Sequence, residues 1–272
     1  MSDSHPEETA RDTVWNNPDF VAQWNNTYGI DMRHAKARVD LLFPLVAERV
    51  GAFDDLSLID LGCGNGNLIH NFLDYNFSRW TGIDQGGAVL DSARDAITDS
   101  RVNFINGDVT APIASESGLT ESADIVTSFF VLEEIPLENL TGHFEQMRSL
   151  LKDNGKGIIF FNHPAYALIH NLESRQNGAD NKKFPGHEGY FDRTPTKFSL
   201  GKLNGEQGYE VHAEYHHKTM ADVFNALTKA GLTVDYVLEP PKSDVNWPPQ
   251  NTESTSGDYP RFLYLEVSPI SP

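Results

Sequence analysis

The sequence predicts a single α/β domain built on a seven-stranded, mostly parallel sheet with an antiparallel last strand and helices on both faces. Three observations predict it. Apolar strand-like runs alternate with segments of helical periodicity, the pattern that places crossover helices between parallel strands. A glycine-rich bend follows the first of these runs and leads into an apolar helix start. A polar, proline-rich stretch without helical pattern joins the last two runs, which suits an antiparallel final strand rather than another right-handed crossover.

In chain order, strands are expected at Ser57–Leu61, Trp80–Ile83, Val102–Asn106, Asp124–Ser128, Gly157–Asn162, Thr233–Leu238 and Arg261–Val267. Val39, Leu42, Phe43, Val46 and Val50 recur at helical spacing, and Pro44 should kink or restart that helix. Leu137, Leu140, Phe144, Met147 and Leu151 repeat the pattern. Thr219 can cap a helix carrying Met220, Val223, Phe224 and Leu227; Asp222 would complete a capping box and Gly231 would end the helix. Residues 34–163 form one half of the domain and 216–272 supply its closing helix and strands. Two segments lie outside this frame. Residues 1–33 begin as a disordered stretch, then set Phe20, Trp24 and Tyr28 on one helical face. Residues 164–215 interrupt the step after the fifth strand, with a hairpin turn expected at Asn204-Gly205 before the alternating Tyr209, Val211, Ala213 and Tyr215. Both read as lids over a pocket.

The chain has 272 residues, enough for a sizeable core, and no apolar run long enough to span a membrane. Its start lacks the basic and apolar regions of a secretory signal, and a single cysteine makes no internal disulfide; a cytoplasmic location is expected. The formal charge of −18, with Lys182-Lys183 the only adjacent basic pair, argues against a nucleic-acid partner. Ten histidines are present, yet no metal-ligand spacing accompanies them, so no metal is expected.

The bend itself, Leu58-Ile59-Asp60-Leu61-Gly62-Cys63-Gly64-Asn65-Gly66-Asn67, combines a buried strand, an acid and three alternate glycines. Glycine adopts positive φ and lets a ligand approach the backbone, so the turn is built to cradle a cofactor. A dinucleotide fingerprint needs a glycine where Asn67 stands, or at Ile69 if counted from Gly64. Both frames fail. The remaining pattern, Asp-x-Gly-x-Gly-x-Gly, resembles motif I of the class I S-adenosylmethionine (SAM) methyltransferases, whose Rossmann-like sheet has the strand plan derived above.

Other strand ends fit the same resemblance. Asp84, followed by Gln85, stands eighteen residues beyond Gly66, where a carboxylate can accept ribose hydroxyl protons. Asp108 can accept the adenine amino hydrogens while Val109 lies against the ring. Ser128 and Phe129 close the fourth strand. The resemblance, over roughly residues 56–163, implies SAM as cofactor and a contact set of Asp60, Gly62, Cys63, Gly64, Asn65, Asn67, Asp84, Gln85, Asp108, Val109, Ser128 and Phe129. Asp60 either steers the ammonium end of the cofactor or braces the glycine turn. Tyr28 and Arg33 are expected to reach the cofactor carboxylate or the substrate.

Methyl transfer to a hydroxyl, phenol or ammonium group also requires a base. His163 closes the fifth strand, and His216-His217-Lys218-Thr219-Met220 resembles an element found there in small-molecule members, with Lys218 in place of arginine. Glu133-Glu134 stands where relatives often show Glu-His. His217, His163 and Glu133 are the candidate catalytic groups; His216, His170, His187 and His212 rank below them, and Trp247 could line the pocket. The expected reaction is methylation of an oxygen or nitrogen on a small-molecule acceptor, by a monomer or homodimer with no nucleic-acid or membrane partner. A protein or tRNA methyltransferase, or a SAM-binding regulator without turnover, are the alternatives; the glycine spacing disfavours an NAD-dependent dehydrogenase.

Overall fold

The computed structural model describes residues 13–166, 168–169, 189–202, 210–240 and 260–270. Four parallel strands follow the first helical pair: β1 (Ser57–Leu61), β2 (Arg79–Asp84), β3 (Val102–Asn106) and β4 (Ala123–Phe129). The sheet continues through β5 (Leu151–Asn162), β8 (Leu232–Leu238) and β9 (Phe262–Pro269), in the order β3-β2-β1-β4-β5-β9-β8. β9 runs antiparallel to both neighbours, with Ile159 opposite Leu265 and Val237 opposite the same residue. The expected plan therefore stands, with strand ends extended by a few residues. The order of successive strands reverses between β1 and β4, which pair side by side in parallel, so a crevice opens at their carboxyl ends.

Helices cover both faces: α1 (Pro18–Tyr28), α2 (Phe43–Val50), α3 (Asn67–Asn71), α4 (Gly87–Ala96), α5 (Ile113–Ser117), α6 (Leu140–Leu150) and α7 (Met220–Lys229). Side-chain alternation along β1 divides the core in two. Ile59 and Leu61 join Phe144, Met147 and Leu227 on one face, whereas Leu58 joins Phe72, Trp80, Phe160 and Tyr264 on the other. Thr219 and Asp222 form the full capping box of α7. Pro44 acts as an early-turn residue of α2, and the strain expected at that point is taken up before it, in a π-helical turn over Ala37–Leu42.

The insertion contributes an antiparallel hairpin, β6 (Thr196–Lys202) with β7 (Glu210–Tyr215). The expected turn at Asn204-Gly205, together with Tyr209, Lys182-Lys183, His170, His187 and Trp247, lies outside the described residues. Among the described residues no helix is long and apolar enough to cross a membrane, and no cluster of three metal-ligating side chains occurs.

Candidate functional site

A cavity of about 450 Å³ occupies the crevice beyond β1, β2, β3 and β4. Its floor is the glycine bend. Gly62, Gly64 and Gly66 all adopt positive φ (74°, 54° and 75°), the region that strains any residue with a Cβ. A Cβ at Gly62 would collide with Val131, whereas one at Gly64 would meet no protein atom within 4 Å and would stand in the open. Gly62 and Cys63 N–H both donate to the Ile83 carbonyl (2.7 and 3.0 Å), which ties the bend to the end of β2.

Acids stand at successive strand ends around that floor. Asp84 accepts from Gly64 N–H (2.9 Å) and Gly86 N–H (2.8 Å), one bond on each oxygen. Burial raises its pKa, against these backbone donors. Asp60 accepts from the Thr127 hydroxyl at 2.6 Å, and burial pushes its pKa up to about 7 even though Arg38 opposes the shift. Asp108 accepts from both the N–H and the hydroxyl of Thr110 (2.8 Å each), a turn that holds its loop. The loop is further fixed by His143, which donates Nδ1–H to the Val109 carbonyl (3.2 Å) and accepts the Ser128 hydroxyl at Nε2 (2.9 Å). That ring is fully buried and its pKa falls to about 4, so it is neutral and structural.

Arg38 enters from the π-helical turn. It donates to Asn67 Oδ1 (2.9 Å) and lies 4.6 Å over the Phe130 ring. Burial draws its pKa down to about 10, opposed by Asp60, Glu133 and Tyr28. Phe130 itself has φ of 59°, a conformation that costs a bulky residue about 1–2 kcal/mol and places strain at the cavity wall.

The roof comes from the N-terminal segment. Trp15, Trp24 and Tyr28 form a ladder with ring centroids 5.3 and 4.5 Å apart. Trp15 Nε1–H is shared by the two carboxylate oxygens of Glu134, at 3.2 Å from each. Asn16 Oδ1 accepts Gly87 N–H (2.7 Å), and Asn25 Oδ1 accepts from Asn65 (2.8 Å), so the segment is fastened to α4 and to the glycine bend. Lys218 fastens the opposite wall: its buried ammonium donates to the carbonyls of Leu132, Ile135 and His216. Burial lowers its pKa to about 7, against the charges of Glu133, Asp222 and Glu138.

Of the expected contact set, Asp60, Gly62, Cys63, Gly64, Asn65, Asn67, Asp84, Gln85, Asp108, Val109 and Phe129 line the cavity. The remaining candidates are placed elsewhere. Ser128 lies behind the wall on His143. Arg33 is exposed and paired with Asp31 at 2.9 Å, and Tyr28 stacks on Trp24 behind the lining. Cys63 is buried and its thiol pKa is pushed up, which removes thiolate character.

The three catalytic candidates also stand outside the lining. His217 Nε2–H donates to the Tyr190 carbonyl (2.8 Å), and its Nδ1 faces the Tyr215 hydroxyl at 3.4 Å. His163 donates Nε2–H to Glu239 (2.9 Å) and accepts Ala165 N–H (3.1 Å). Glu133 Oε1 accepts both the backbone and side-chain N–H of Asn162 (2.7 Å each). Its neighbour Glu134 lines the cavity instead, because the short 3-10 turn Leu132–Glu134 sends consecutive side chains in different directions. Arg38, Trp15, Phe130 and Glu134 line the cavity outside the expected set, while Trp24 belongs to the N-terminal segment expected as a lid. Arg38 stands immediately before the apolar periodicity that begins at Val39, and that position was the one available signal for it.

Compared with known proteins, residues 58–155 match the model of a family described as a methyltransferase domain. No curated protein matches the chain in sequence. Among solved structures, a protein of Pyrococcus horikoshii OT3 is similar at 18% identity and TM-score 0.64, covering 92% of this chain and 98% of its own. A S-adenosylmethionine-dependent methyltransferase from Clostridium acetobutylicum superposes with TM-score 0.61 at 14% identity over 92% and 97% of the two chains. Magnesium protoporphyrin IX methyltransferase from Synechocystis, with bound S-adenosylhomocysteine (SAH), gives 0.54 at 16% identity over 93% and 94%. At these identities the likeness is one of fold.

Proposed function

We propose that this class I S-adenosylmethionine-dependent methyltransferase methylates an oxygen or nitrogen atom of a small-molecule acceptor. The observation that supports the acceptor class is the N-terminal aromatic pair Trp15 and Trp24, which lines the same crevice whose floor is the glycine bend. A crevice of about 450 Å³ lined by aromatic side chains suits a small molecule, and a charge of −18 disfavours a phosphate backbone.

The residues present fit the cofactor. Asp84 takes its hydrogen bonds from backbone N–H groups of Gly64, Gly86 and Gln85 and, as an acceptor-only carboxylate at the end of β2, suits a ribose hydroxyl. Gly64 leaves open the space that a side chain would fill. Asp108 and Val109 would receive the adenine, and Asn65, Asn67 and Arg38 would receive the amino-acid end. Bound SAM supplies a methyl group activated by a positive sulfonium. Asp60 and Glu134, both lining the cavity, would offset that charge, and the aromatic N-terminal segment would help to align the acceptor and exclude water. His217 and His163, with their ring nitrogens engaged, serve to hold the 216–219 segment and the end of β5.

Incubating the protein with SAM and a panel of small phenols, alcohols and amines, alongside bulk tRNA, tests the reading. SAH formation is expected with a panel member and not with tRNA; formation with tRNA alone would reverse the assignment.

A further inference from the structure

We propose that Glu134 is the proton acceptor for the methylated group, and that Trp15 holds its carboxylate toward the cavity; this deepens the small-molecule reading above and rests on it. Few of the described lining groups remain able to take a proton. Among the described residues no histidine lines the cavity. Asp60 is engaged with the Thr127 hydroxyl and faces Arg38. Asp84 spends a bond of each oxygen on the backbone of the glycine bend and of Gly86, and Asp108 holds Thr110. Glu134 differs: its two oxygens share a single indole N–H. A shared neutral donor fixes the plane of the carboxylate yet leaves most of its acceptor capacity toward the open space.

Its surroundings set its basicity as well. Glu134 is packed beneath Trp15, with Asp84 at the end of β2 and Glu133 on its own turn as the charged groups acting on it. Arg38, Asp60 and Asp108 are the other charged side chains around the cavity. Burial, then the two acids, raise its pKa to about 7, against the Trp15 hydrogen bond. A base matched to neutral pH is what abstraction from a phenol or ammonium requires.

The acceptor oxygen or nitrogen forms a bond to the methyl carbon, the carbon–sulfur bond breaks with its electron pair going to sulfur, and the acceptor proton passes to a Glu134 carboxylate oxygen. The sulfonium charge and the carboxylate charge disappear together. Because the ionised form is the active one, kcat/KM should rise with pH through about 7 and then level.

The test compares wild type with Glu134→Gln and Glu134→Asp, using SAM and the phenol and amine panel, with SAH release recorded from pH 5.5 to 9. Calorimetric SAH binding serves as the control for folding and cofactor affinity. Glu134→Gln should lose about a hundredfold or more in kcat and lose the acidic limb while SAH binds within a few-fold of wild type. Glu134→Asp should recover part of the rate and keep a limb, which a packing role would not produce. An unchanged limb in Glu134→Gln overturns the proposal while leaving the methyltransferase reading intact. Wild-type protein that binds SAH yet turns over no panel member overturns the small-molecule reading, and this proposal falls with it.

Discussion

The floor of the cavity and its far wall are built in opposite ways. The floor is local: Gly62, Gly64, Asp84 and Asp108 each stand within a few residues of a strand end, and their hydrogen bonds link one strand end to the next. The far wall is assembled from distant segments. Trp15 meets Glu134 across 119 positions, and Lys218 reaches the carbonyls of Leu132 and Ile135 across 86 and 83. A floor made by strand ends persists as long as the sheet does. A wall made by three separate segments depends on each contact between them, so it is the part in which acceptor choice can vary without disturbing cofactor binding.

Substitutions in the two regions should therefore fail differently. Gly64→Val places branched carbons where no protein atom stands and forces positive φ on a β-branched residue. It should reduce SAH affinity by about a hundredfold or more, with a loss of stability of only about 1–2 kcal/mol. A calorimetric titration matching wild type would show that the floor is not the cradle.

Lys218→Met removes the donor shared by three buried carbonyls. A loss of about 3 kcal/mol in chemical denaturation is expected, with weakened turnover and little change in SAH affinity. Equal damage to stability and SAH affinity would merge the two regions into one unit.

Glu134→Gln provides a pH signature for the far wall. The Glu134 pKa is raised from 4.5 to about 7 in the folded protein, so the folded state holds the extra proton between those values. Stability contributed by this group is present at low pH and declines as pH rises from about 4.5 to 7. The variant should match wild type near pH 4 and be relatively more stable at pH 8, by on the order of 2 kcal/mol. Parallel melting curves at both pH values would contradict the buried, partly protonated carboxyl.

Asp84→Ala should weaken SAH binding at least tenfold, about 1.4 kcal/mol, from lost hydrogen bonds to a charged acceptor. Unchanged affinity would remove Asp84 from the site. Because the substitution also strips Gly64 and Gly86 N–H of their acceptor, a small drop in melting temperature should accompany it.

The same contrast explains what was readable in the chain. β1, β2, β3 and β4, the capping box at Thr219 and Asp222, and the strand-end acids all follow from neighbours in sequence. The candidate set strayed where side-chain direction or distant contacts decide. Ser128 adjoins Phe129 but points the other way, as alternation along a strand requires, and its hydroxyl meets His143 instead of the cavity. Arg33 is the arginine expected at the site, yet the π-helical turn over Ala37–Leu42 brings Arg38 to the cavity and leaves Arg33 exposed with Asp31. Glu133 and Glu134 are indistinguishable by type; the turn after β4 buries one on Asn162 and presents the other beneath Trp15.

By itself, then, the sequence determined the sheet plan, the glycine bend and the acids at the strand ends, because each depends on backbone conformation and polarity within a few residues. Only the tertiary structure decided which arginine and which glutamate face the cavity, that His163 and His217 are engaged elsewhere, and that Trp15 stands over the crevice. Those outcomes depend on packing between segments far apart in the chain, where burial and hydrogen-bond partners arise only once the whole domain has folded.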